Sequence, residues 1–316
     1  MLSERAHAAD YEWWYAHGYL TNEAERQYGF MYAFFKFRKE TVAQYFPQLR
    51  AFPGHTLFQL HLGLTDITAG THHADELTFL PWLGHIGLGR LRFGVRFGPN
   101  YLRTIGPKRF ALHAEHHQRT LDLHMFDQAG TVLHGRNGVI KVNGFGETSY
   151  YSRPRLKVEG QLKFEKGQTE FVHGSAWLDH QWGRLQPPQP FMYWIWFGIQ
   201  LQDGSTLMLY EFIDGHGRKR AVRGTWLGSQ GQRRNVTALI TPLRYWRSSK
   251  TGSRFPIDHA VSVAALKLKL QITADVADQE MHSAFFNYWE GACSVNGQRA
   301  GRPTQGKAYL EVTRAE

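Results

Sequence analysis

Cysteine is almost absent from this chain: Cys293 stands alone in 316 residues, so no disulfide can close within it and nothing demands an oxidising compartment. Long apolar runs are missing too. The longest, Phe191 to Leu201, covers 11 residues and is interrupted by Gly198 and Gln200, well short of the ~20 that carry a helix across a bilayer. Met1 to Asp10 lacks a hydrophobic signal core, so a cytoplasmic location is expected. There is no phosphate-binding glycine loop of the Walker or Rossmann type, no Gly-x-Ser-x-Gly elbow and no His-Glu-x-x-His zinc helix. Helix signals are thin, with room for a turn or two at Glu40 to Phe46 and at Ala274 to Gln279.

Aromatic side chains are plentiful, at 14%, and charged ones make up 20%, the balance of a well-buried globular protein. The 37 Lys and Arg exceed the 27 Asp and Glu by ten. That excess is dispersed, with small clusters at Arg90-Leu91-Arg92, Arg218-Lys219-Arg220 and Arg233-Arg234. No dense basic run exists, so nucleic acid is not an expected partner, whereas weak attraction to an anionic membrane surface is compatible. The 17 histidines raise the question of a metal. His113, His116 and His117, and the pair His72-His73, are close in sequence but lack the three or four converging ligands that zinc takes, so neither metal nor cofactor is expected.

Segments of five to ten residues rich in aromatic and β-branched side chains alternate with Gly, Asn and Asp turns, which predicts an all-β protein. Tyr28 to Phe37, Thr56 to Leu64, Arg90 to Phe97, Leu121 to Phe126, Phe191 to Gln200, Thr206 to Ile213, Val261 to Leu270 and Ala284 to Trp289 are examples. Glu12-Trp13-Trp14-Tyr15 opens the first strand; alternation puts Glu12 and Trp14 on one face and Trp13 and Tyr15 on the other. The pattern Trp13-Trp14-Tyr15, Gly18, Leu20 is echoed by Trp194-Ile195-Trp196, Gly198, Leu201, which points to two similar barrels in tandem. A composition shift near Tyr150 to Gly160 places the expected seam between domains 1–156 and 157–316.

Three ordered motifs carry a resemblance over almost the whole chain. They are Glu12-Trp13-Trp14-Tyr15 with Gly18, Gly29-Phe30 and Phe34-Phe35; Gly174-Ser175-Ala176-Trp177-Leu178-Asp179-His180-Gln181-Trp182-Gly183; and Tyr288-Trp289-Glu290-Gly291 followed by Gly297, Gly301 and Tyr309-Leu310-Glu311. Together they resemble the carotenoid 1,2-hydratase and AttH-like lipocalin-like hydrolase superfamily. The resemblance implies two lipocalin-like antiparallel β-barrels and an apolar cavity between or within them. It also implies either hydration of an isoprenoid double bond or, as in the lipocalin-like Diels-Alderases, folding of a polyene for cyclisation. In the carotenoid hydratases a His-x-Trp pair is followed by a Tyr-x-Asp pair. His180-Gln181-Trp182 matches the first; Tyr210 matches the tyrosine of the second, but Phe212 stands where its acid would be.

Hydrating an alkene puts a proton on carbon, so the site needs a carboxylic acid kept neutral by burial and rings that stabilise a cation. Asp179 with His180 is the expected proton source, Trp182 and Trp14 the walls, and Tyr210 the group that orients water or substrate. Glu12 and Glu290 are alternative acids or buried anchors, and Tyr193, Trp194, Trp196 and Trp289 are expected to line the pocket around a hydrophobic small molecule. A pericyclase needs no strong acid and works by confinement. A non-catalytic carrier of lipid or pigment fits the same barrels.

Overall fold

The structure is a computed structural model that describes residues 4–51, 54–79, 86–89, 92–116, 119–142, 146–164, 167–185, 193–214, 216–283, 287–313 and 315. It is almost entirely β, with two large antiparallel sheets that form tandem lipocalin-like barrels. The first carries β1 (Tyr11–Asn22), β2 (Gln27–Arg38), β3 (Thr56–Asp66), β4 (Thr71–Phe79), β5 (Ile86–Leu88), β6 (Gly94–Phe97), β7 (Asn100–Gly106), β8 (Arg109–His116), β9 (Arg119–Asp127), β10 (Val132–Leu133), β11 (Val139–Val142), β12 (Gly146–Phe164) and β13 (Thr169–Leu185). The second carries β14 (Tyr193–Leu201), β15 (Thr206–Ile213), β16 (Lys219–Leu227), β17 (Arg233–Thr237), β18 (Leu239–Arg247), β19 (Arg254–Val263), β20 (Leu268–Ala274), β21 (Glu280–Met281), β22 (Tyr288–Arg299) and β23 (Arg302–Val312).

The two sheets share a wiring plan. β1 lies between β2 and the last strand of its sheet, β13, just as β14 lies between β15 and β23. The sequence echo between Trp13-Trp14-Tyr15 and Trp194-Ile195-Trp196 thus marks equivalent first strands.

Period-2 alternation builds each core. In the first, Trp14, Ala16 and Leu20 of β1 pack with Tyr28, Phe30, Tyr32 and Phe34 of β2 and with Ala176 and Leu178 of β13. Fully burying side chains of this size contributes about 1.5–3 kcal/mol each, enough to fix which face of each strand turns inward. A void among Phe30, Tyr32, Leu62, Leu112 and Leu162 measures about 20 Å³, room for a water and not for a lipid. The second core draws on Ile195, Phe197 and Ile199 of β14, Leu207 and Leu209 of β15, Trp289 and Val295 of β22, and Leu310 and Val312 of β23.

Several expectations need correction. The seam expected at 156/157 falls inside β12, which runs unbroken from Gly146 to Phe164. The chain instead divides into one unit of Met1–Leu64 with Asp75–Gln189 and another of Thr65–Ala74 with Pro190–Glu316. Polar residues at the expected seam reflect the exposed face of a long strand, not a linker. Ala274–Gln279 is not helical: the Gln279 amide donates to the carbonyls of Val276 and Ala292 and accepts from the Ala292 N–H, so side-chain bonds hold that loop. Glu40–Phe46 yields one short helix, α1 (Lys39–Val42). Of the strand expected at Arg90 to Phe97, Gly94–Phe97 is extended and residues 90 and 91 lie outside the described set, as do residues 284–286 of Ala284 to Trp289.

Candidate active site at the start of the first strand

Cross-strand register places three chemically active side chains on the core face of the first sheet. Glu12 pairs with Lys36 of β2 and Trp182 of β13, and Trp14 pairs with His180. Tyr151 of β12 pairs with His180 from the other side. Ahead of β1, an irregular segment brings His7 over the same spot.

Glu12 is fully buried. Its Oε1 lies 2.8 Å from His7 Nδ1 and 3.0 Å from His180 Nε2, and Oε2 lies 3.0 Å from Lys36 Nζ. The His7 backbone N–H also donates to the carboxylate, at 2.9 Å. Burial by itself would raise the Glu12 pKa, but the bonds from His180 and His7 outweigh it and hold the carboxyl down at about 2. An ionised acid here can only accept, which fixes the donors: His7 Nδ1–H and His180 Nε2–H. Burial keeps His180 below the usual imidazole range, against the pull of Glu12. A neutral His180 therefore has a bare Nδ1, which accepts from the Tyr151 hydroxyl at 3.1 Å.

Rings surround this pair. Trp14 stacks on His180 with centroids 4.9 Å apart, Trp182 is tilted against it at 4.7 Å, and Phe93 and Tyr151 meet it edge-on at 5.9 and 5.3 Å. His7 lies flat on Trp182, centroids 3.8 Å apart and planes 3° from parallel. Beside Lys36, a cleft of about 530 Å³ opens between Ala8, Ala9, Arg38, Glu40, His55 and Thr56.

Asp179, expected to work with His180, faces the other way. Its carboxylate accepts from Trp177 Nε1 at 2.7 Å, from the Tyr150 hydroxyl at 2.8 Å and, through a short bond, from Ser152 Oγ, which lies 2.5 Å from His134 Nε2. All five residues are buried. Burial pushes Asp179 up to about 7 because its three donors are neutral and only partly compensate. Strand alternation is the physical reason that Asp179 and His180, adjacent in sequence, end on opposite faces.

The remaining expected site residues belong to the second unit. Trp289 is in its core, with Nε1–H donating to the Ala277 carbonyl at 2.8 Å. Trp196 and Tyr210 are a buried cross-strand pair on the face away from that core, and burial pushes the Tyr210 hydroxyl up to about 12 despite the opposing influence of Arg223. Trp194 donates to Glu311 Oε2 at 2.9 Å, Tyr193 is half-buried at the start of β14, and Glu290 is buried with its backbone N–H on the Gln279 carbonyl. Trp14, Trp182, Glu12 and His180 are thus brought together; Asp179 is held apart from them by its face.

His7, Lys36, Tyr151 and Phe93 were not anticipated. Lys36 was within reach, because extending the β1–β2 hairpin from its turn puts it opposite Glu12. His7 precedes any periodic pattern, and Tyr151 is set by pairing across distant strands. His7 Nδ1, Glu12 Oε1 and His180 Nε2 lie within 4.8 Å of one another, a donor set suited to a divalent cation. Both ring nitrogens already donate to Oε1, however, and an ammonium sits on Oε2, so this arrangement fits protons better than a metal.

The AttH-like family model matches residues 3–314. The chain belongs to the AttH-like family. No curated protein sequence matches it. Among solved structures, an AttH candidate from Nitrosomonas europaea is 28% identical, covers 98% of this chain and 94% of its own, and superposes with a TM-score of 0.84. Kievitone hydratase from Nectria haematococca is 18% identical over 95% of this chain and 88% of its own, with a TM-score of 0.73. CghA is 10% identical over 99% and 90%, at 0.57. The last two likenesses are of fold.

Proposed function

We propose that this AttH-like protein is an enzyme that hydrates or cyclises an apolar unsaturated substrate by proton transfer at the Glu12–His180–Tyr151 array. One observation carries it: His180 is buried among rings while bridging an ionised carboxylate and a phenol. Glu12 orients the imidazole and stabilises its protonated form, much as a buried carboxylate does for other catalytic histidines. The protonated form of His180, a minor one because burial disfavours it, delivers a proton through Tyr151 to the alkene carbon, and the cation that forms faces Trp14, Trp182 and Phe93. Water then bonds to the cationic carbon, and its surplus proton returns through the Tyr151 oxygen to His180. The sum is alkene plus water giving alcohol; in cyclisation a second double bond bonds to the cationic carbon, and the new cation loses a neighbouring C–H proton through the Tyr151 oxygen to His180, giving a cyclic alkene. The hydratase among the similar folds supports this choice of reaction.

The test is a screen of unsaturated phenolic and isoprenoid compounds for mass gain of one water, repeated in heavy-oxygen water. With an active substrate in hand, Glu12→Gln and Tyr151→Phe should each slow turnover by about 10²–10⁴-fold, the range for loss of a positioned acid–base group. Turnover unchanged in both variants would remove the array from the mechanism.

A further inference from the structure

Among the proton-handling groups of the cluster, which also include Glu12, Lys36, Tyr151 and His180, His7 alone does not come from a strand. It belongs to an irregular segment, Glu4 to Ala9, whose flanking side chains Ala6, Ala8 and Ala9 are small. Its contacts include Glu4 to Arg153, a long Ala6 N–H contact of 3.4 Å to the Gly89 carbonyl, Lys36 Nζ to the His7 carbonyl, and the His7 contacts with Glu12, and none of them is a strand ladder. Irregular segments outside a sheet open at lower cost than sheet interiors. The His7 ring itself sits in a well-made slot. It lies parallel on Trp182 and presents one N–H to a buried carboxylate, 5.4 Å from the His180 ring.

That slot has the features of a ligand subsite: a flat apolar wall, one charged acceptor and an array of proton-handling groups alongside. We propose that the His7 side chain occupies the substrate's place, and that the substrate is a planar conjugated ring bearing an O–H or N–H, phenol-like, which stacks on Trp182, donates to Glu12 and displaces His7. The approximately 530 Å³ cleft beside Ala8, Ala9 and Lys36 then takes the rest of the molecule. This substrate class rests on the Glu12–His180 site proposed above, but not on turnover there. Because the ligand must first expel His7, its apparent affinity for the native chain is lowered by the fraction of time the slot is open.

The probes are phenol, 4-methylimidazole and toluene, titrated against the full chain and against His7→Gly, read by tryptophan fluorescence and calorimetry. Phenol and 4-methylimidazole should bind His7→Gly saturably and about ten-fold or more tighter than they bind the native chain. Toluene, lacking the donor, should bind His7→Gly about ten-fold or more weaker than phenol, the value of a hydrogen bond to a charged acceptor. Adding Trp182→Leu should cost about five-fold, the value of the stacked pair. Equal affinity of phenol for the two chains, or of toluene and phenol for His7→Gly, would overturn the proposal. The native chain supplies a second measurement that needs no variant. Saturating phenol should speed tryptic cleavage after Arg5 several-fold by releasing the segment, and an unchanged rate would count against displacement. Binding as expected together with no turnover of any substrate would contradict the enzymatic reading alone.

Discussion

Glu12 and Asp179 are acids of one sheet, both buried, yet their surroundings move them in opposite directions. Around Glu12, bonds from His7 and His180 win over desolvation; around Asp179, desolvation wins over three neutral donors. Divergent environments of this kind sort an ionised proton acceptor from a carboxyl that stays neutral into the physiological range. For Asp179 the sign of the linkage is clear: its folded pKa, about 7, lies above its ordinary 3.8. Its contribution to stability is complete below about pH 3.8 and is lost as pH rises through 7. Asp179→Asn should abolish that loss, because a neutral amide can meet the same hydroxyls. Melting curves between pH 4 and 8 should show the native chain falling by about 4 °C or more relative to the variant across that range. A constant difference between the two would show that Asp179 does not titrate there. At this scale the sequence named Glu12, Trp14, His180 and Trp182, which the structure brings together. It paired His180 with its sequence neighbour Asp179 because the true partner lies 168 positions away and only register joins them.

Along the elements, β1 holds the site because it can approach β13 closely. A Cβ on Gly18 would lie 2.3 Å from the Ser175 carbonyl oxygen and 2.7 Å from Phe30 Cε1. Backbone cannot yield as a flexible side chain does, so Gly18→Ala should destabilise by about 2–3 kcal/mol through overpacking. Chemical denaturation measures this, and a loss under about 0.5 kcal/mol, the level of an ordinary surface change, would show that the strands separate freely. Strand content was legible where aromatic and β-branched residues alternate, as in Tyr28 to Phe37. It was obscured in β18, where Pro242 argues against a strand; β18 ends its sheet, and an edge position spares proline a ladder bond.

Across the whole molecule, two sheets of the same plan carry different chemistry. The pair Trp14–His180 of β1 and β13 corresponds to Ile195–Val312 of β14 and β23, an aliphatic pair with no ionisable group. The echo between halves was legible because it lies in local hairpins. The division near residue 189 was not, because β13 is the closing strand of the first sheet and pairs with β1 across about 160 residues, with no local mark. Within the first unit the two buried acids offer rival sites on opposite faces of one sheet. Turnover of an active substrate by His180→Asn and Asp179→Asn, measured side by side at neutral pH, separates them. The expected result is a loss of about 10²-fold or more for His180→Asn and a rate within about three-fold of native for Asp179→Asn. The reverse pattern, with His180→Asn active and Asp179→Asn inert, would contradict placing the chemistry on the Glu12–His180 face.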